Sequence, residues 1–402
     1  MTTTLLTAPE IAVWALCGVA FIAALWLLTA YRARIARVSS AIRRRTAEPY
    51  NPAPRPAPPA VSVVIVAGDD AEALEGLLAK IFEQEWEGEM EVVVVNDGKN
   101  DDIKDVVTRI KHLQHRPNLF ITFTPPGLRN ISHRKLALTL GIKAAHNPVI
   151  ITLDEQSRIY STQWLGRMTE PFGREETEVV IGSALPAAKF DRGPGARYRS
   201  FTHGHDATVW LAAALGGKPF RAHRANMAFR RNLFFESGGF SSALNLRDGD
   251  DDIFISRICR PGNSAVVCAA QAAVRYARPT SKSEFRDGRP RRMFTSRRAG
   301  AAPAGRFWSL SSLAAWVMTL AAVGAVGLGI RLHMWIAVGV GAALLLATWT
   351  LLALTWRSAL LALRCRPAAA MVVPMVLRRP LTNFIHRLRS RRRRGDYRTT
   401  PA

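Results

Sequence analysis

The sequence predicts an α/β protein: a mainly parallel, doubly wound sheet flanked by helices and accompanied by three transmembrane helices. Three features carry that expectation. Between Val61 and Asp154, β-branched runs alternate with helical periodicities at the spacing of βαβ units. Three charge-free stretches, 11–30, 307–330 and 334–356, are each long enough to cross a bilayer as a helix. Charge is also segregated along the chain. The 402 residues include 55 Lys+Arg against 31 Asp+Glu, a formal net charge of +24. Residues 61–280 hold 27 of the basic and 26 of the acidic side chains, which leaves 28 basic and 5 acidic residues on the flanks.

That distribution narrows the function classes. A nucleic-acid-binding domain carries its basic excess on the folded body, whereas here the excess lies beside apolar runs. The reading is therefore a membrane surface with anionic lipids, and no nucleic-acid partner. A hydrophobic content of 48% excludes global disorder. Cys17, Cys259, Cys268 and Cys365 show neither CxxC nor zinc-site spacing and read as free thiols.

Taken in order, 1–10 is a short exterior N-terminus and 11–30 the first span. Six arginines (32, 34, 37, 43, 44 and 45) follow that span and mark its cytoplasmic end. A cleaved signal peptide would have the opposite polarity. Residues 31–60 are basic and then Pro-rich, with Pro49, Pro52, Pro54, Pro56, Pro58 and Pro59 predicting a stiff spacer. The globular domain is expected over 61–280, followed by a basic connector at 281–306. The spans 307–330 and 334–356, joined by Arg331-Leu332-His333, form a hairpin that returns the chain to the cytoplasmic side. Residues 357–402 hold twelve arginines and one acid, Asp396, and read as a cytoplasmic interfacial tail on anionic lipid.

Within the domain, VSVVIV, MEVVVVN, LFITFT and PVIITLD read as strands, separated by AEALEGLLAKIF, a helix through Ile103–Leu113, and HRKLALTLGIKAA. Ligands of such sheets bind beyond the carboxyl ends of the strands, which puts Val66–Asp70, Asn96–Asp101 and Asp154–Ser157 on one rim. VVVVNDGKND could present Asp97 to a nucleotide, although the same residues suit an ordinary βα turn. Asp154 is placed to carry a divalent metal bridging a diphosphate. LRDGDDDIFIS packs Asp248, Asp250, Asp251 and Asp252 into five positions, and the mutual repulsion suits a general base. A solvated acidic loop is the bland alternative; an EF-hand is excluded because its closing Glu is absent. His203 and His205 read as a polar loop, and Trp164 and Trp210 as the tryptophans of the globular body best placed to stack on a ligand ring.

Five stretches in order, VSVVIVAGDDAEALEGLL, VVVVNDGKNDD, SHRKLALTLGIKAA, ANMAFRRNLFFESGGF and GDDDIFIS, resemble the membrane-anchored family 2 glycosyltransferases of GT-A fold. These are related to chitin, cellulose and hyaluronan synthases, and the chain looks most like bacterial members with one leading and two trailing transmembrane helices. The resemblance implies an inverting transfer from a nucleotide-sugar donor to a lipid-linked or surface-glycan acceptor. It places the protein in a bacterial inner membrane, with the catalytic domain cytoplasmic and envelope-biosynthesis proteins as partners. Position by position, Val66, Ala67, Asp70 and Asp97 would hold the nucleoside, and Arg134 and Lys135 the diphosphate. Asp154 would be both donor-binding and metal-binding, for Mg²⁺ or Mn²⁺. Asp250 and Asp251 would be catalytic, with Asp251 the base, and Asn226 and Arg292 would lie on the acceptor and diphosphate side.

The chain departs from the family pattern at several of these points. Gln156 stands where the second metal-binding Asp is expected, and Arg224 where relatives often have Gly. Asp69 and Asp70 replace Asn-Glu. RPRRM at Arg289–Met293 keeps Arg292 but lacks the Gln and Trp of processive synthases. Two trailing spans are few for a polymer channel, so the expectation is single transfers. The competing reading is a catalytically degenerate scaffold that binds nucleotide or a partner synthase.

Overall fold

The computed structural model describes residues 7–51, 57–68, 70–98, 101–127, 130–187, 195–276, 282–365, 369–392 and 398–399. The chain divides into two compact units, Met1–Ser39 with Pro303–Ile385, and Ser40–Ala302 with His386–Ala402.

The apolar unit is helical, as its charge-free runs require. Helix α1 (Ala8–Trp26) begins at a Thr7 capping box closed by Glu10. It passes through a π-helical turn, Leu27–Tyr31, into α2 (Arg32–Ala47). Helices α11 (Ala302–Arg331) and α12 (Trp335–Ala362) follow later in the chain, with α13 (Ala369–Arg392) contributing its residues up to Ile385. Among the described residues, three segments are long and apolar enough to cross a membrane: Ala8–Ala47, Pro303–Arg331 and Trp335–Ala362. The three spans expected from the sequence lie within them, apart from Met334 at the edge of the last. Packing here uses small residues and interhelical polar contacts. A Cβ on Gly341 would sit 3.1 Å from Val326 Cγ2 and 3.2 Å from the Ala322 carbonyl oxygen. Trp26 Nε1 donates to Ser311 Oγ at 3.2 Å, and Trp349 Nε1 to Thr319 Oγ1 at 3.1 Å. In the basic tail, α13 ends at Arg392; Asp396 lies outside the described residues.

The second unit is built on a seven-stranded sheet of order β3-β2-β1-β4-β8-β6-β9. Its strands are β1 (Val61–Ala67), β2 (Met90–Asn96), β3 (Leu119–Phe123), β4 (Val149–Asp154), β6 (Val179–Gly182), β8 (Met227–Arg230) and β9 (Ser264–Val267). Every neighbouring pair is parallel except the two made by β8, which runs antiparallel to β4 and β6. All seven residues of β1 are buried, as expected for a central strand covered on both faces. Helices α3 (Ala71–Phe82), α4 (Asp102–Leu113) and α5 (His133–Ala144) make the crossovers. A small sheet joins β5 (Ser157–Arg158), β10 (Val274–Tyr276) and β7 (Ala184–Pro186). Short helices α6 (Trp164–Thr169), α8 (Arg231–Glu236) and α9 (Ile253–Ile258) and the longer α7 (Ala196–Leu215) and α10 (Lys282–Arg298) surround the sheets.

Two expectations about boundaries change. The stretch 281–306, expected as a connector, supplies α10. Phe294 and Ala299 share a buried cluster with Ala243, Leu246 and Ile253, so the domain extends past residue 280. The spacer at 31–60 is anchored at its near end. Thr46 Oγ1 accepts from Ala270 N–H at 2.9 Å, Arg167 Nη2 donates to the Glu48 carbonyl at 3.0 Å, and Tyr50 OH donates to the Glu85 carbonyl at 2.8 Å. Pro52, Pro54 and Pro56 lie outside the described residues.

The approach of α5 to the sheet is close. A Cβ on Gly141 would fall 2.5 Å from Val64 Cγ1 and 2.7 Å from Val95 Cγ2. Gly141→Ala is expected to cost about 1–3 kcal/mol through overpacking, read as a lowered melting temperature of the purified full chain. An unchanged melting temperature would show that α5 can shift off the strands freely.

Candidate active site

The sheet register sets the site. Ala67 pairs with Asn96, and Val66 with Asp154, so the carboxyl ends of β1, β2 and β4 share one edge. Beyond that edge lies a cavity of about 760 Å³ whose lining includes Val66, Asp70, Asp97, Asp154, Asp250 and Asp251. The acidic tips separated in sequence by more than 150 residues thus meet around one space.

At the end of the cavity beyond β1 and β2, Asp70 is also the N-cap of α3, its Oδ1 accepting from Ala73 N–H at 3.0 Å. Asp97 follows β2, with its backbone N–H on the Ala67 carbonyl at 2.8 Å and its Oδ1 3.8 Å from His133 Nδ1. Asn96 Oδ1 accepts from Gly98 N–H at 3.0 Å, an Asx turn that shapes the tip. Ala67 is fully buried in β1 and does not line the cavity, whereas Val66 does. Asp69 lies outside the described residues.

The first turn of α5 organises the acidic loop. Arg134 bridges two carboxylates: its Nη2 pairs with Asp154 Oδ1, and its Nε donates to Asp250 Oδ2 at 2.8 Å. Lys135, expected to meet the diphosphate, is fully buried instead. Its ammonium donates to the carbonyls of Leu246 at 2.7 Å and Asp248 at 2.9 Å. Desolvation lowers its pKa, partly offset by the surrounding aspartates. Lys135 therefore shapes the loop from beneath. Ser132 N–H completes the attachment on the Leu244 carbonyl at 2.9 Å. Gly249 turns at φ +114°, where a Cβ would fall 2.9 Å from Ile253 Cδ1, so glycine is required for the loop to reverse.

Each buried acid has a different environment. Asp250 is 1% exposed; burial pushes its pKa up, but Arg134, Arg224 and Lys135 outweigh that and hold it far below the ordinary carboxylate range. Asp154 shows the same balance, burial being overcome by Arg134 and Arg224. Asp251 Oδ2 accepts from Arg221 Nη2 at 2.7 Å. Asp252 caps α9 by accepting from Ile253 N–H at 2.8 Å, and it accepts Thr295 Oγ1–H from α10. Burial, reinforced by the Asp251 carboxylate, raises Asp252 to about 7.

Several groups were placed differently by sequence reasoning. Asn226 is fully buried. Its Oδ1 accepts from Trp164 Nε1 at 3.0 Å, and its Nδ2 donates to the carbonyls of Ser183 and Ala272, both at 2.9 Å. It clamps the two sheets behind the site and is not among the residues that line the cavity. Trp164 is consequently sealed in the core and Trp210 is buried on α7, so neither faces the cavity to stack on a sugar. His203 and His205 belong to buried α7, not to a loop. His203 does line the cavity, with burial and then Arg292 pushing its pKa down to about 3. Arg292 reaches the cavity from α10, together with Arg291.

Others were missed as site residues. Glu155 turns its Oε2 back to the backbone N–H groups of Gly68 and Asp70, tying the tips of β4 and β1 together. His223 lines the cavity and stacks on Tyr276, with ring centroids 5.3 Å apart. Its Nδ1 accepts from Ala225 N–H at 3.2 Å, which leaves the ring proton on Nε2. Burial brings it down to about 3, so it is neutral at physiological pH. The basic run RAHR was the available signal for Arg221 and His223, but nothing in its spacing tied it to Asp251.

Residues 62–238 match the family model described as Glycosyl transferase family 2, and the same chain has, among its described residues, three helices long and apolar enough to cross a membrane. Among solved structures, the chain is similar to a mannosyltransferase from Pyrobaculum calidifontis in complex with GDP-Man and Mn²⁺. That similarity is 19% identity over 89% of this chain and 98% of the other, with TM-score 0.49. It is also similar to glucosyl-3-phosphoglycerate synthase from Mycobacterium tuberculosis, at 16% identity over 60% and 80% of the two chains and TM-score 0.40. A third is mannosyl-3-phosphoglycerate synthase from Rubrobacter xylanophilus, at 13% identity over 67% and 77% and TM-score 0.38. No curated protein matches the chain.

The family implies a divalent cation, and the donor set here does not fit one. Asp154 is engaged by Arg134 on one oxygen, while its other oxygen lies 3.6 Å from Arg224 Nε. Glu155 is turned to backbone amides, and Gln156 is a neutral amide. Among the described residues no group of three or more His, Cys, Asp or Glu side chains could hold a metal ion.

Asp252 gives a pH prediction. Its pKa rises from an ordinary 3.8 to about 7 on folding. Between these values the folded state keeps a proton that the unfolded state releases, so this contribution to stability falls as pH rises from about 4 to about 7. Asp252→Asn mimics the protonated form. Its melting temperature should fall less than the wild type's between about pH 5 and pH 8; parallel curves would mean that Asp252 is ionised throughout.

Proposed function

We propose that the protein is an inverting glycosyltransferase. It would move one sugar at a time from a nucleotide-sugar donor to a lipid-linked or surface-glycan acceptor at the cytoplasmic face of a bacterial inner membrane. The observation that carries this reading is the convergence of Asp97, Asp154, Asp250 and Asp251 on one cavity at the carboxyl edge of the sheet. In a family 2 domain, that edge is where a nucleotide sugar would lie.

In this reading Asp70 and Asp97 hold the nucleoside, and the diphosphate lies toward Arg134. Asp251 accepts the proton of an acceptor hydroxyl. The hydroxyl oxygen bonds to the anomeric carbon as that carbon's bond to the diphosphate oxygen breaks, which inverts the centre. The departing negative charge is met by the cationic side chains of the cavity. Arg221, 2.7 Å from Asp251, orients the carboxylate. Arg292 and Arg291 border the acceptor side.

Orientation follows from the arginines beside the three candidate spans, which the positive-inside bias assigns to the cytoplasm. The tail helix α13, with Arg387, Arg389, Arg391 and Arg392 at its end, suits an anionic lipid surface shared with envelope-biosynthesis proteins.

The test is product release by the full chain in detergent, assayed against a panel of UDP- and GDP-sugars. Asp251→Asn is expected to lower turnover by roughly 10²–10⁴-fold while leaving nucleotide affinity within about twofold. Turnover at the wild-type rate would remove Asp251 as the base. Nucleotide binding with no turnover of any donor by the wild type would instead support the non-catalytic scaffold.

A further inference from the structure

We infer that the donor's diphosphate is held by two guanidinium groups, those of Arg134 and Arg224, in the place where a divalent cation would stand. This rests on the nucleotide-sugar reading of the cavity and specifies how that site works. Arg134 spans Asp154 and Asp250, as a bridging cation would. Arg224 approaches Asp154 from the other side, Nε to Oδ2 at 3.6 Å. The position of Arg224 is set by the sheet: its backbone carbonyl accepts from Thr152 Oγ1 on β4 at 2.8 Å, two residues before Asp154. Both arginines line the cavity, and Arg224 keeps 37% of its side chain exposed there.

The charge arithmetic agrees. Two guanidinium groups carry +2, the charge of Mg²⁺ or Mn²⁺, and both face Asp154, the carboxylate expected to carry the metal. A guanidinium has five N–H donors in a planar fork suited to phosphate oxygens. The contacts to Asp154 and Asp250 use only part of that capacity. Gln156 follows from the same logic. A second carboxylate at that position would add negative charge opposite the diphosphate without a metal to offset it, whereas a neutral amide adds none. Glu155, its carboxylate committed to Gly68 and Asp70 N–H, is withdrawn from metal binding. The leaving diphosphate would therefore be stabilised by fixed side-chain charges, with no ion to recruit before each turnover.

The experiment is calorimetric titration of the full chain in detergent with UDP and with GDP, each in excess EDTA and each in millimolar MnCl₂. The inference expects one of the nucleotides to bind with the same affinity, within about twofold, in both buffers. It further expects Arg224→Gln to weaken that binding by more than about tenfold in EDTA. Arg224→Lys keeps the charge and should lose less. Binding that vanishes in EDTA and returns with Mn²⁺ would overturn the inference while leaving the nucleotide reading intact. So would an Arg224→Gln protein that binds as tightly as the wild type. Failure of both nucleotides to bind in either buffer would overturn the inference and the nucleotide reading together.

Discussion

The ion-pair bridge from Arg134 to Asp154 and Asp250 is the contact on which the site depends. Asp154 ends β4 in the early, parallel half of the domain, and Asp250 sits in a loop almost a hundred residues later. Three consecutive aspartates repel one another, and the cations paired with Asp250 and Asp251 come from outside their loop. The offset comes from the first turn of α5, where Arg134 meets the carboxylates and Lys135 holds the carbonyls of Leu246 and Asp248. A buried ion pair is neither cheap to form nor safe to break. Removing one partner of such a pair costs roughly 3–5 kcal/mol, because the other charge stays buried and unpaired. The two halves of the domain are therefore coupled through charge as well as through packing.

Burial sorts the carboxylates by their neighbours. Asp250 and Asp154 are held ionised because arginines stand against them, while Asp252, with Asp251 beside it, is pushed toward the protonated form. Adjacent acids in one short loop are thus pushed in opposite directions by their surroundings, Asp250 downward by its cationic neighbours and Asp252 upward by burial. Asp252 spends its side chain on Ile253 and Thr295, and so ties the loop to α10. The helix that carries Arg291 and Arg292 is thereby linked to the loop that carries Asp251.

The apolar unit follows different rules. Helices this apolar would gain little from the hydrophobic effect against one another within a bilayer, and close contacts at Gly341 and hydrogen bonds from Trp26 and Trp349 are the kind of packing that serves there. The globular unit relies on strands that are apolar on both faces. Each unit shows its solvent in its composition, which is why the charge segregation along the chain was informative.

Much of the architecture was legible in the sequence because it depends on local periodicity. The buried runs of β1, β2 and β4, the crossover helices, the three apolar spans and the rim position of Asp97 and Asp154 all follow from hydrophobic pattern and the handed connectivity of parallel sheets. What tertiary structure alone decided is which charged and polar groups meet. Lys135 and Asn226 stand in motifs that suggested ligand contact, yet folding buries both and commits them to backbone carbonyls. Arg221 and His223 lie in a stretch with no legible motif, and Arg224 stood out only as a departure from the family pattern, yet β4 and the acidic loop bring all three to the cavity. Helix α10 lies beyond the domain boundary that composition suggested. The physical reason is range: secondary structure is set by neighbours a few residues away, whereas the partner of a buried charge is set by residues a hundred positions distant that only the closed fold makes adjacent.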